Sequence, residues 1–302
     1  MRIKQTVPWW LKIGLKIVLS RLPIDYGIWN RIGIFKHGDM NLPHRAFETF
    51  VTHATTADLL TDSSPNKQPC FNKPLNGEFS VLELGTGDSL FTALIAKTLG
   101  ATRSWLIDTG SYAINDINVY VEMVKYLKEI GYMPVDDLFA PAIKEMLSVC
   151  NAQYLTEGTH SLRVIPDHSV DFCFSNAVLE HVPKQEFGKL VNEMRRVLKP
   201  DGICVHRVDL KDHLGGGLNN LRFSETTWES DLFRKSGFYT NRIRFAEMVT
   251  IFQQAGFECQ FPRVIRWNTL PVSRSALVKT YQDLPDDDLL VSGFDVVLKY
   301  KR

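Results

Sequence analysis

The sequence has few cysteines and almost no net charge. Its cysteines are five in number, never form a CxxC pair and stand far apart, at Cys70, Cys150, Cys173, Cys204 and Cys259. This excludes a disulfide framework and a zinc-ribbon site, and it is typical of reduced core thiols in a cytosolic protein. With 35 basic and 34 acidic residues, the formal net charge is +1. No overall field therefore favours nucleic acid as a partner.

A long uncharged apolar run is also missing. The most apolar stretch, "MRIKQTVPWWLKIGLKIVLSRLP", is interrupted by Lys12 and Lys16, and no small-residue cleavage site follows it. It is therefore neither a membrane span nor a signal peptide. As a helix it has two sides: Trp10, Ile13, Ile17 and Val18 on one, and Lys12, Lys16 and Ser20 on the other.

Two roles fit this amphipathic segment. It can pack onto its own domain, or residues 1–22 can lie in a membrane interface, as basic helices with tryptophans do. The sequence predicts a cytoplasmic protein, with contact at the inner membrane face as the alternative. The oligomeric state is left open.

No internal repeat or low-complexity tract divides the chain, and one polar stretch marks a boundary. "TDSSPNKQPCFNKPLNGE" has the Ser, Asn, Pro and Gly content of a loop. It predicts a helical N-terminal extension over residues 1–76, with a helix in "PHRAFETFVTHATTADLL", and a larger domain over residues 77–302.

Strands and helices alternate after residue 77. The predicted strands are "FSVLELG", "RSWLID", "AQYLTEG", "SVDFCFSNA", "ICVHRVDL", "FECQFPRVIRW" and "LLVSGFDVVLKY". Helices are predicted between them, including "KQEFGKLVNEMRRVLKPDG" with a stop at Pro-Asp-Gly. Alternation predicts an α/β fold, a parallel sheet with helices on both faces and ligands beyond the carboxyl ends of the strands. The segment 211–244, rich in Gly, Asn, Arg and aromatic residues, is predicted to be an insertion over those ends.

The turn after the first strand, "VLELGTGDSL", carries two glycines one residue apart, Gly85 and Gly87. Glycine offers positive φ and no side chain, so such a turn brings backbone close to a ligand. A dinucleotide site would need a third glycine, and Leu90 stands there instead. This departure argues against a nicotinamide or flavin cofactor.

Two carboxylates flank the glycine turn. Glu83 lies in the strand just before it, and Asp108 ends the next strand. A carboxylate at that strand end can accept hydrogen bonds from both ribose hydroxyls. Glu83 can orient the turn or meet an ammonium group through water. Together they predict a nucleoside ligand with a cationic tail and no phosphate.

These motifs, in this order, resemble the class I S-adenosylmethionine-dependent methyltransferases from about Gly77 to Arg302. "VLELGTGDS", "WLIDTG", "SVDFCFSNAVLEHV" and "EMRRVLKPDGICV" are similar to the family's successive strand motifs. The resemblance implies a Rossmann-like seven-stranded sheet in the order 3-2-1-4-5-7-6 with the last strand antiparallel, and S-adenosylmethionine as cofactor. Ser89, where many members carry a third glycine, departs from the pattern.

The resemblance also implies a cofactor site. Its predicted members are Glu83, Gly85, Thr86, Gly87, Asp108, Thr109, Gly158, Thr159 and Asn176. The small-molecule branch carries Gly-Asp-Ala at the adenine contact, whereas this chain has Gly158-Thr159-His160. Thr159 or the backbone must then replace the acid. "SNAV" after strand four is not the Asn-Pro-Pro-aromatic motif of enzymes that methylate amides or adenine amines, which disfavours nucleic-acid and protein acceptors.

Three residues near the ends of strands four and five are candidates for catalysis. Methyl transfer is an in-line displacement that requires alignment, and a hydroxyl acceptor also requires a base, for which histidine is suited. We predict His213, oriented by Asp209, or His181 as that base. The alternative is that all three form turns and caps. Asp209, Asp212 and His213 could also hold Mg²⁺, but no second acidic cluster accompanies them, so no metal is predicted.

The acceptor site is predicted from the insertion and strand five, with His206, Arg222, Trp228, Tyr239 and Arg242 as its members. Arginine forks bind phosphate or carboxylate, and aromatic faces stack on sugar rings. The insertion also resembles, more weakly, bacterial methyltransferases of surface-polysaccharide biosynthesis. The predicted acceptor is a hydroxyl of a saccharide or glycolipid. Alternatives are a structural arginine and aromatic network, a carbon or nitrogen acceptor such as a quinone precursor or amine, and a non-catalytic Rossmann-type partner subunit.

Overall fold

The computed structural model describes residues 8–19, 40–60, 71, 79–132 and 140–301. The predicted boundary near Gly77, most of the polar stretch before it, the segment 20–39 and Cys70 lie outside these residues. The division into residues 1–76 and 77–302 therefore stays a prediction.

A seven-stranded sheet forms the centre of the molecule. Its strands are β1 (Ser80–Leu84), β2 (Arg103–Ile107), β3 (Ala152–Leu155), β4 (Val170–Asn176), β5 (Leu198–Asp209), β6 (Phe257–Arg266) and β7 (Val291–Tyr300). Their order is β3-β2-β1-β4-β5-β7-β6. The first five strands run parallel, and β7 is antiparallel to both β5 and β6. The predicted order and the antiparallel last strand are confirmed.

Helices cover the sheet in the order that the alternation predicts. The longer ones are α1 (Trp9–Leu19), α2 (Pro43–Thr56), α3 (Phe91–Thr98), α4 (Ile117–Glu129), α5 (Ile143–Val149), α6 (Lys184–Val197) and α9 (Phe245–Gln254). Four single-turn helices lie near the strand ends: α7 (Glu225–Trp228), α8 (Asp231–Arg234), α10 (Lys279–Gln282) and α11 (Asp286–Leu289). None of these helices is both long and apolar enough to cross a membrane.

Helix α6 ends earlier than predicted. It stops at Val197, and β5 begins at Leu198, so the Pro-Asp-Gly triplet lies inside the strand and is not a helix stop. Two contacts hold this stretch extended. Leu198 pairs with Val170, and the Lys199 ammonium lies 2.7 Å from Asp171 Oδ2. A Cβ on Gly202 would lie 2.8 Å from the Val170 carbonyl oxygen, so glycine is needed for close strand approach.

Each face of the sheet has its own hydrophobic core, because alternate side chains of a strand point to opposite faces. Phe172 and Phe174 of β4 enter the first core, where their ring centroids lie 6.0 and 5.4 Å from that of Phe50 in α2. Cys173 enters the second core, under α6 and α9. Burying Phe50 completely contributes about 2–3 kcal/mol, which fixes α2 to the sheet.

Helix α1 packs on the insertion. Ile13 is buried in a cluster with Leu214, Trp228, Phe233, Phe238 and Tyr239. Trp9 and Ile17 pack against the same cluster, one turn before and one turn after Ile13. Trp10 is 60 % exposed, so the prediction that it shares the apolar side with Ile13 is wrong: Trp9 takes that place.

Candidate active site

The glycine turn lies between β1 and α3, at the carboxyl end of the central strand. Gly85 and Gly87 have φ angles of 76° and 62°, which other residues adopt only with strain. A Cβ on Gly85 would lie 2.3 Å from Cγ2 of Val178. Both conformation and space therefore require glycine at position 85.

Asp108 follows β2 and faces this turn. Its Oδ2 accepts a hydrogen bond from the Gly87 N–H at 2.9 Å, and its Oδ1 accepts one from the Thr109 N–H at 2.7 Å. Thr86 Oγ1 lies 3.4 Å from the same Oδ2. Each carboxylate oxygen can accept two hydrogen bonds, so Oδ1 keeps one acceptor position for a hydroxyl, and the second position of Oδ2 is held only by the long bond from Thr86.

The loop after β3 closes the other side of Asp108. The Gly158 N–H donates to the Asp108 carbonyl oxygen at 2.8 Å, and Gly158 has φ 56°. A Cβ there would lie 3.2 Å from Thr109 Cγ2. This contact starts a 3₁₀ helix, Gly158–Val164, and places half-buried Thr159 beside the end of β2.

Two further predicted cofactor residues lie at the ends of the central strands. Glu83 is 4 % exposed, and burial raises the pKa of its carboxyl to about 8, while a hydrogen bond from Thr92 lowers it and Asp108 raises it. Asn176 ends β4, and its Oδ1 is buried with no hydrogen-bond partner among the described residues. A buried amide oxygen without a donor is a place that a ligand's donor would fill.

These residues fit S-adenosylmethionine. The turn offers backbone without side chains, Asp108 offers a carboxylate acceptor for a ribose hydroxyl, and Asn176 offers an acceptor that has no partner among the described residues.

His181 and His213 lie together beyond the carboxyl ends of β4 and β5. Their ring centroids are 4.7 Å apart with the planes at 70°. His181 Nδ1 lies 2.9 Å from the Tyr239 carbonyl oxygen, which can only accept, so Nδ1 carries the proton. The Lys16 ammonium donates to the His213 carbonyl oxygen at 3.0 Å, which ties α1 to this pair.

The pKa of His213 is lowered to about 3. Burial is the main cause, and the neighbouring His181 and Lys16 add to it. The ring is therefore neutral at pH 7 and is a weak proton acceptor.

The Asp209 carboxylate is bonded to Lys211, two residues further along the chain. Its Oδ1 accepts the Lys211 N–H at 3.0 Å, and its Oδ2 lies 3.3 Å from the Lys211 ammonium. Among the described residues, the hydrogen bonds and ion pairs of Asp209 join it to Lys211, and its role in orienting His213 stays a prediction.

Asp212 organises the start of the insertion. It is 2 % exposed, and its carboxylate accepts hydrogen bonds from Leu214, Gly215, Gly216 and Asn219. A carboxylate used in this way caps the loop. Within the described ranges, Cys173, Cys204 and His206 form the only group of His, Cys, Asp or Glu whose ligand atoms are close enough for a metal. The alternative of Mg²⁺ at Asp209, Asp212 and His213 thus gains no support.

Two predicted acceptor-binding residues are completely buried. His206 is 0 % exposed, and its Nδ1 lies 2.8 Å from Ser175 Oγ on the neighbouring strand. Trp228 is also 0 % exposed and donates through Nε1 to the Thr240 carbonyl oxygen at 2.7 Å. Both side chains make hydrogen bonds within the protein interior.

The other three belong to the network around α1 and the insertion. The Arg242 guanidinium is buried and bonds Glu225 Oε2 and the Phe223 carbonyl oxygen at 2.5 and 2.7 Å. The Tyr239 hydroxyl donates to a Glu229 carboxylate oxygen at 2.9 Å. Arg222 is half-buried, with its guanidinium 5.2 Å from the Trp9 ring. These contacts match the structural network that the sequence left as an alternative.

Two residues that shape the mouth of the site were missed from the sequence. Asn241 holds the segment after β4: its Nδ2 donates to the carbonyl oxygens of Leu179 and Val182, at 2.8 and 2.9 Å. Glu180, between these two, is 1 % exposed. An asparagine some 60 positions away gives no local signal of such a clamp. For Glu180, the only signal was its place beside His181 in "LEHV".

Comparison with known families supports the class that fold and site define. Residues 82–206 match a family model described as a methyltransferase domain. That range runs from β1 to β5 and contains the glycine turn, Asp108 and His181. The match assigns a methyltransferase domain to residues 82–206. The fold and the site are consistent with the class I S-adenosylmethionine-dependent methyltransferases and with S-adenosylmethionine as cofactor. No curated protein matches the chain.

Solved structures similar to the chain include three with low identity. The YcgJ protein from Bacillus subtilis has 16 % identity and a TM-score of 0.39 and covers 75 % of this chain and 93 % of its own. An S-adenosylmethionine-dependent methyltransferase from Mesorhizobium loti has 14 % identity and a TM-score of 0.38, and the match covers 75 % of this chain and 93 % of that one. The DhpI–SAH complex has 12 % identity and a TM-score of 0.40, and the match covers 95 % of this chain and 96 % of that one. Likeness at this level carries no conclusion about the acceptor.

Proposed function

We propose that the chain methylates a hydroxyl oxygen of a saccharide or glycolipid. The observation that carries this is the pair of histidines, His181 and His213, beyond the carboxyl ends of β4 and β5. A hydroxyl must lose its proton during transfer, whereas a carbon or amine nucleophile depends less on a base. A histidine pair at the mouth favours an oxygen acceptor.

Of the two histidines, His181 is better suited to take the proton. Its Nδ1–H is committed to the Tyr239 carbonyl oxygen, so the lone pair of the neutral ring is on Nε2. The low pKa of His213 makes that ring a poor base at neutral pH. His213 instead packs edge-on against His181 and limits the positions of its ring.

The donor side is held by the glycine turn, Asp108, Gly158 and Asn176. When bound, S-adenosylmethionine supplies an electrophilic methyl group. Gly85 and Gly87, both with positive φ, place no side chain at the turn, and Asp108 would accept a hydrogen bond from a ribose hydroxyl of the cofactor. The protein's contribution is then alignment of donor and acceptor and removal of one proton.

The test is a methyl-transfer assay with isotope-labelled S-adenosylmethionine and a panel of nucleotide sugars and lipid-linked saccharides. We expect methylation on oxygen, with kcat of His181→Gln lower by about 100-fold or more and that of His213→Gln lower by less than about tenfold. Methyl groups found on carbon or nitrogen, with His181→Gln unaffected, would favour a quinone precursor or an amine. Cofactor binding without transfer to any class would favour a non-catalytic role.

We also propose peripheral contact of α1 with an anionic membrane, with the protein on the cytoplasmic side. The outward side of α1 presents Trp10, Leu11 and Leu15, which are 60, 49 and 55 % exposed. Lys12 lies on the same helix, whereas the Lys16 ammonium is turned to the His213 carbonyl oxygen. Exposed tryptophan and leucine on a basic helix favour the interface of an anionic bilayer.

Co-sedimentation with vesicles tests this contact. We expect binding to phosphatidylglycerol vesicles, weaker binding to phosphatidylcholine, and loss of binding in Leu15→Asp. Equal behaviour of wild type and Leu15→Asp on both vesicles would refute the membrane proposal and leave the methyltransferase assignment untouched.

A further inference from the structure

Glu180 is a buried carboxyl that the proposed mechanism does not use. It lies in a 3₁₀ turn, Leu179–His181, directly after the loop that follows β4. The residue is 1 % exposed, and within the described residues neither carboxyl oxygen accepts a hydrogen bond of regular geometry. Leaving such a group buried and unpaired costs about 1–3 kcal/mol, and groups of this kind concentrate at functional sites.

The backbone around Glu180 is held in place. Its carbonyl oxygen accepts the Asn241 N–H at 2.7 Å, and the Asn241 side chain bonds the carbonyl oxygens on either side of it. The side chain is therefore buried by a rigid turn between β4 and the insertion. A local rearrangement of a loose loop is not the reason for its burial.

The surroundings of Glu180 place it on the acceptor side. The charged groups that act on it are Asp209, at the carboxyl end of β5, and Lys211 just beyond. Both are partly exposed, with side chains 31 and 43 % accessible. The next residue is His181. Glu180 and the histidine pair therefore belong to the same segment beyond the carboxyl ends of β4 and β5.

Resting on the methyltransferase function proposed above, we propose that Glu180 binds the methyl acceptor, as a specificity-determining residue that hydrogen-bonds a second hydroxyl next to the one that is methylated. The acceptor supplies a hydrogen bond of regular geometry, which the nearby peptide groups of Glu180 and Asp209 do not make.

The protonation state of Glu180 defines which chemistry it recognises. Burial raises the pKa of its carboxyl to about 8, and Asp209 raises it further while Lys211 and the peptide groups of Glu180 and Asp209 lower it. At neutral pH the group is mostly a neutral acid, with one O–H donor and acceptor oxygens. A sugar hydroxyl, itself donor and acceptor, matches it. An ammonium group would prefer the ionised form.

Two substitutions separate this role from a structural one. Glu180→Gln keeps one donor and one acceptor of similar shape. Glu180→Leu keeps the volume and removes the buried polar group. We expect Glu180→Leu to unfold about 2–4 °C above the wild type, because the cost of burying the carboxyl exceeds the gain from its contacts with the peptide groups of Glu180 and Asp209. A leucine variant less stable than the wild type would mean that Glu180 has an internal structural role, and it would overturn the inference.

The binding test uses methyl α-glucopyranoside, methyl α-mannopyranoside and methyl α-rhamnopyranoside with protein saturated in S-adenosylhomocysteine, read by saturation-transfer NMR. Wild type and Glu180→Gln should bind one of them comparably, and Glu180→Leu at least about tenfold more weakly. Affinity for S-adenosylhomocysteine, measured separately, should be the same in all three.

The binding test distinguishes a wrong role for Glu180 from a wrong saccharide assignment. Equal glycoside binding by all three proteins overturns the role of Glu180 and leaves the saccharide assignment standing. No glycoside binding by wild type that still binds S-adenosylhomocysteine overturns the saccharide assignment, and the role of Glu180 with it. Loss of binding in both Glu180→Gln and Glu180→Leu shows that the ionised carboxylate is needed, which contradicts the neutral-acid pairing proposed here.

Discussion

The peptide N–H of Gly87 lies 2.9 Å from Oδ2 of Asp108, although 21 residues separate them in sequence. The first comes from the turn after β1 and the second from the end of β2, which are neighbouring parallel strands. Since parallel strands end at one edge, a glycine turn and a carboxylate that follow successive strands meet there. This contact joins the two parts of the donor site.

The glycine turn should tolerate no side chain at position 85. Gly85→Ala places Cβ 2.3 Å from Val178 and also strains the backbone at a positive φ. Gly100→Ala strains the backbone at a φ of 101°, but its Cβ has no other atom within 4 Å. We expect Gly100→Ala to lose about 1 kcal/mol of unfolding free energy and Gly85→Ala clearly more. Urea unfolding measures both. Equal losses would contradict the close packing of Val178 on the turn.

The stability contributed by His206 should depend on pH. Burial lowers its pKa to about 3, with His53 adding to the effect, so the folded state disfavours the protonated ring. This contribution is complete above the ordinary pKa of about 6.5 and is lost as pH falls from there towards 3, by up to about 1.4 kcal/mol per pH unit.

The matched comparison for His206 is wild type against His206→Gln at several pH values. We expect the stability advantage of the wild type at pH 7.5 to shrink below pH 6.5. Glu83 and Glu180, whose pKa values are raised to about 8, act in the opposite direction but cancel in this difference. A gap that stays constant from pH 7.5 to 4.5 would contradict the buried neutral imidazole.

Arg242 and Arg222 should respond differently to truncation. Arg242 is buried and bonds Glu225 and two carbonyl oxygens, so Arg242→Ala should cost about 2–4 kcal/mol of unfolding free energy. Arg222 is half-buried and bonds one amide oxygen, so Arg222→Ala should cost less than about 1 kcal/mol. Chemical denaturation distinguishes them. A fully stable Arg242→Ala would restore its predicted role in binding the acceptor.

Helix α1 offers a matched pair of positions, one inward and one outward. Ile13 is 8 % exposed and Leu15 is 55 % exposed. Ile13→Asp should detach the helix and raise amide hydrogen exchange across residues 9–19 and at Trp228, because a buried charge has no partner in that cluster. Leu15→Asp should leave exchange unchanged. Equal exchange in the two variants would contradict the packing of α1 on the insertion.

Much of the fold follows from the sequence because its signals are local. The alternation of strands and helices and the glycine turn each occupy one short stretch, and the sheet order follows from their resemblance to a known family. The end of α6 was misplaced because "KPDG" is a usual turn sequence. Lys199 and Gly202 are held in the strand by contacts with Asp171 and Val170, which local propensity does not reveal.

The acceptor side of the site was less predictable, because the role of each side chain there depends on whether it is buried. Arginine and tryptophan in an insertion read equally as ligand groups or as a structural network, and only the contacts of Arg242 with Glu225 and of Trp228 with Thr240 favour the second. The contact between Lys16 and His213 spans 197 positions. No periodicity or spacing connects residues so far apart.

The central claim is that the glycine turn and Asp108 bind S-adenosylmethionine, and calorimetric titration tests it most directly. Wild type should bind S-adenosylmethionine and S-adenosylhomocysteine in the micromolar range. Asp108→Ala should weaken binding by about 10- to 100-fold, as expected for loss of charged hydrogen bonds worth about 1.5–3 kcal/mol, while His181→Gln should bind like the wild type. Absence of binding by the wild type, or equal binding by Asp108→Ala, would contradict the account.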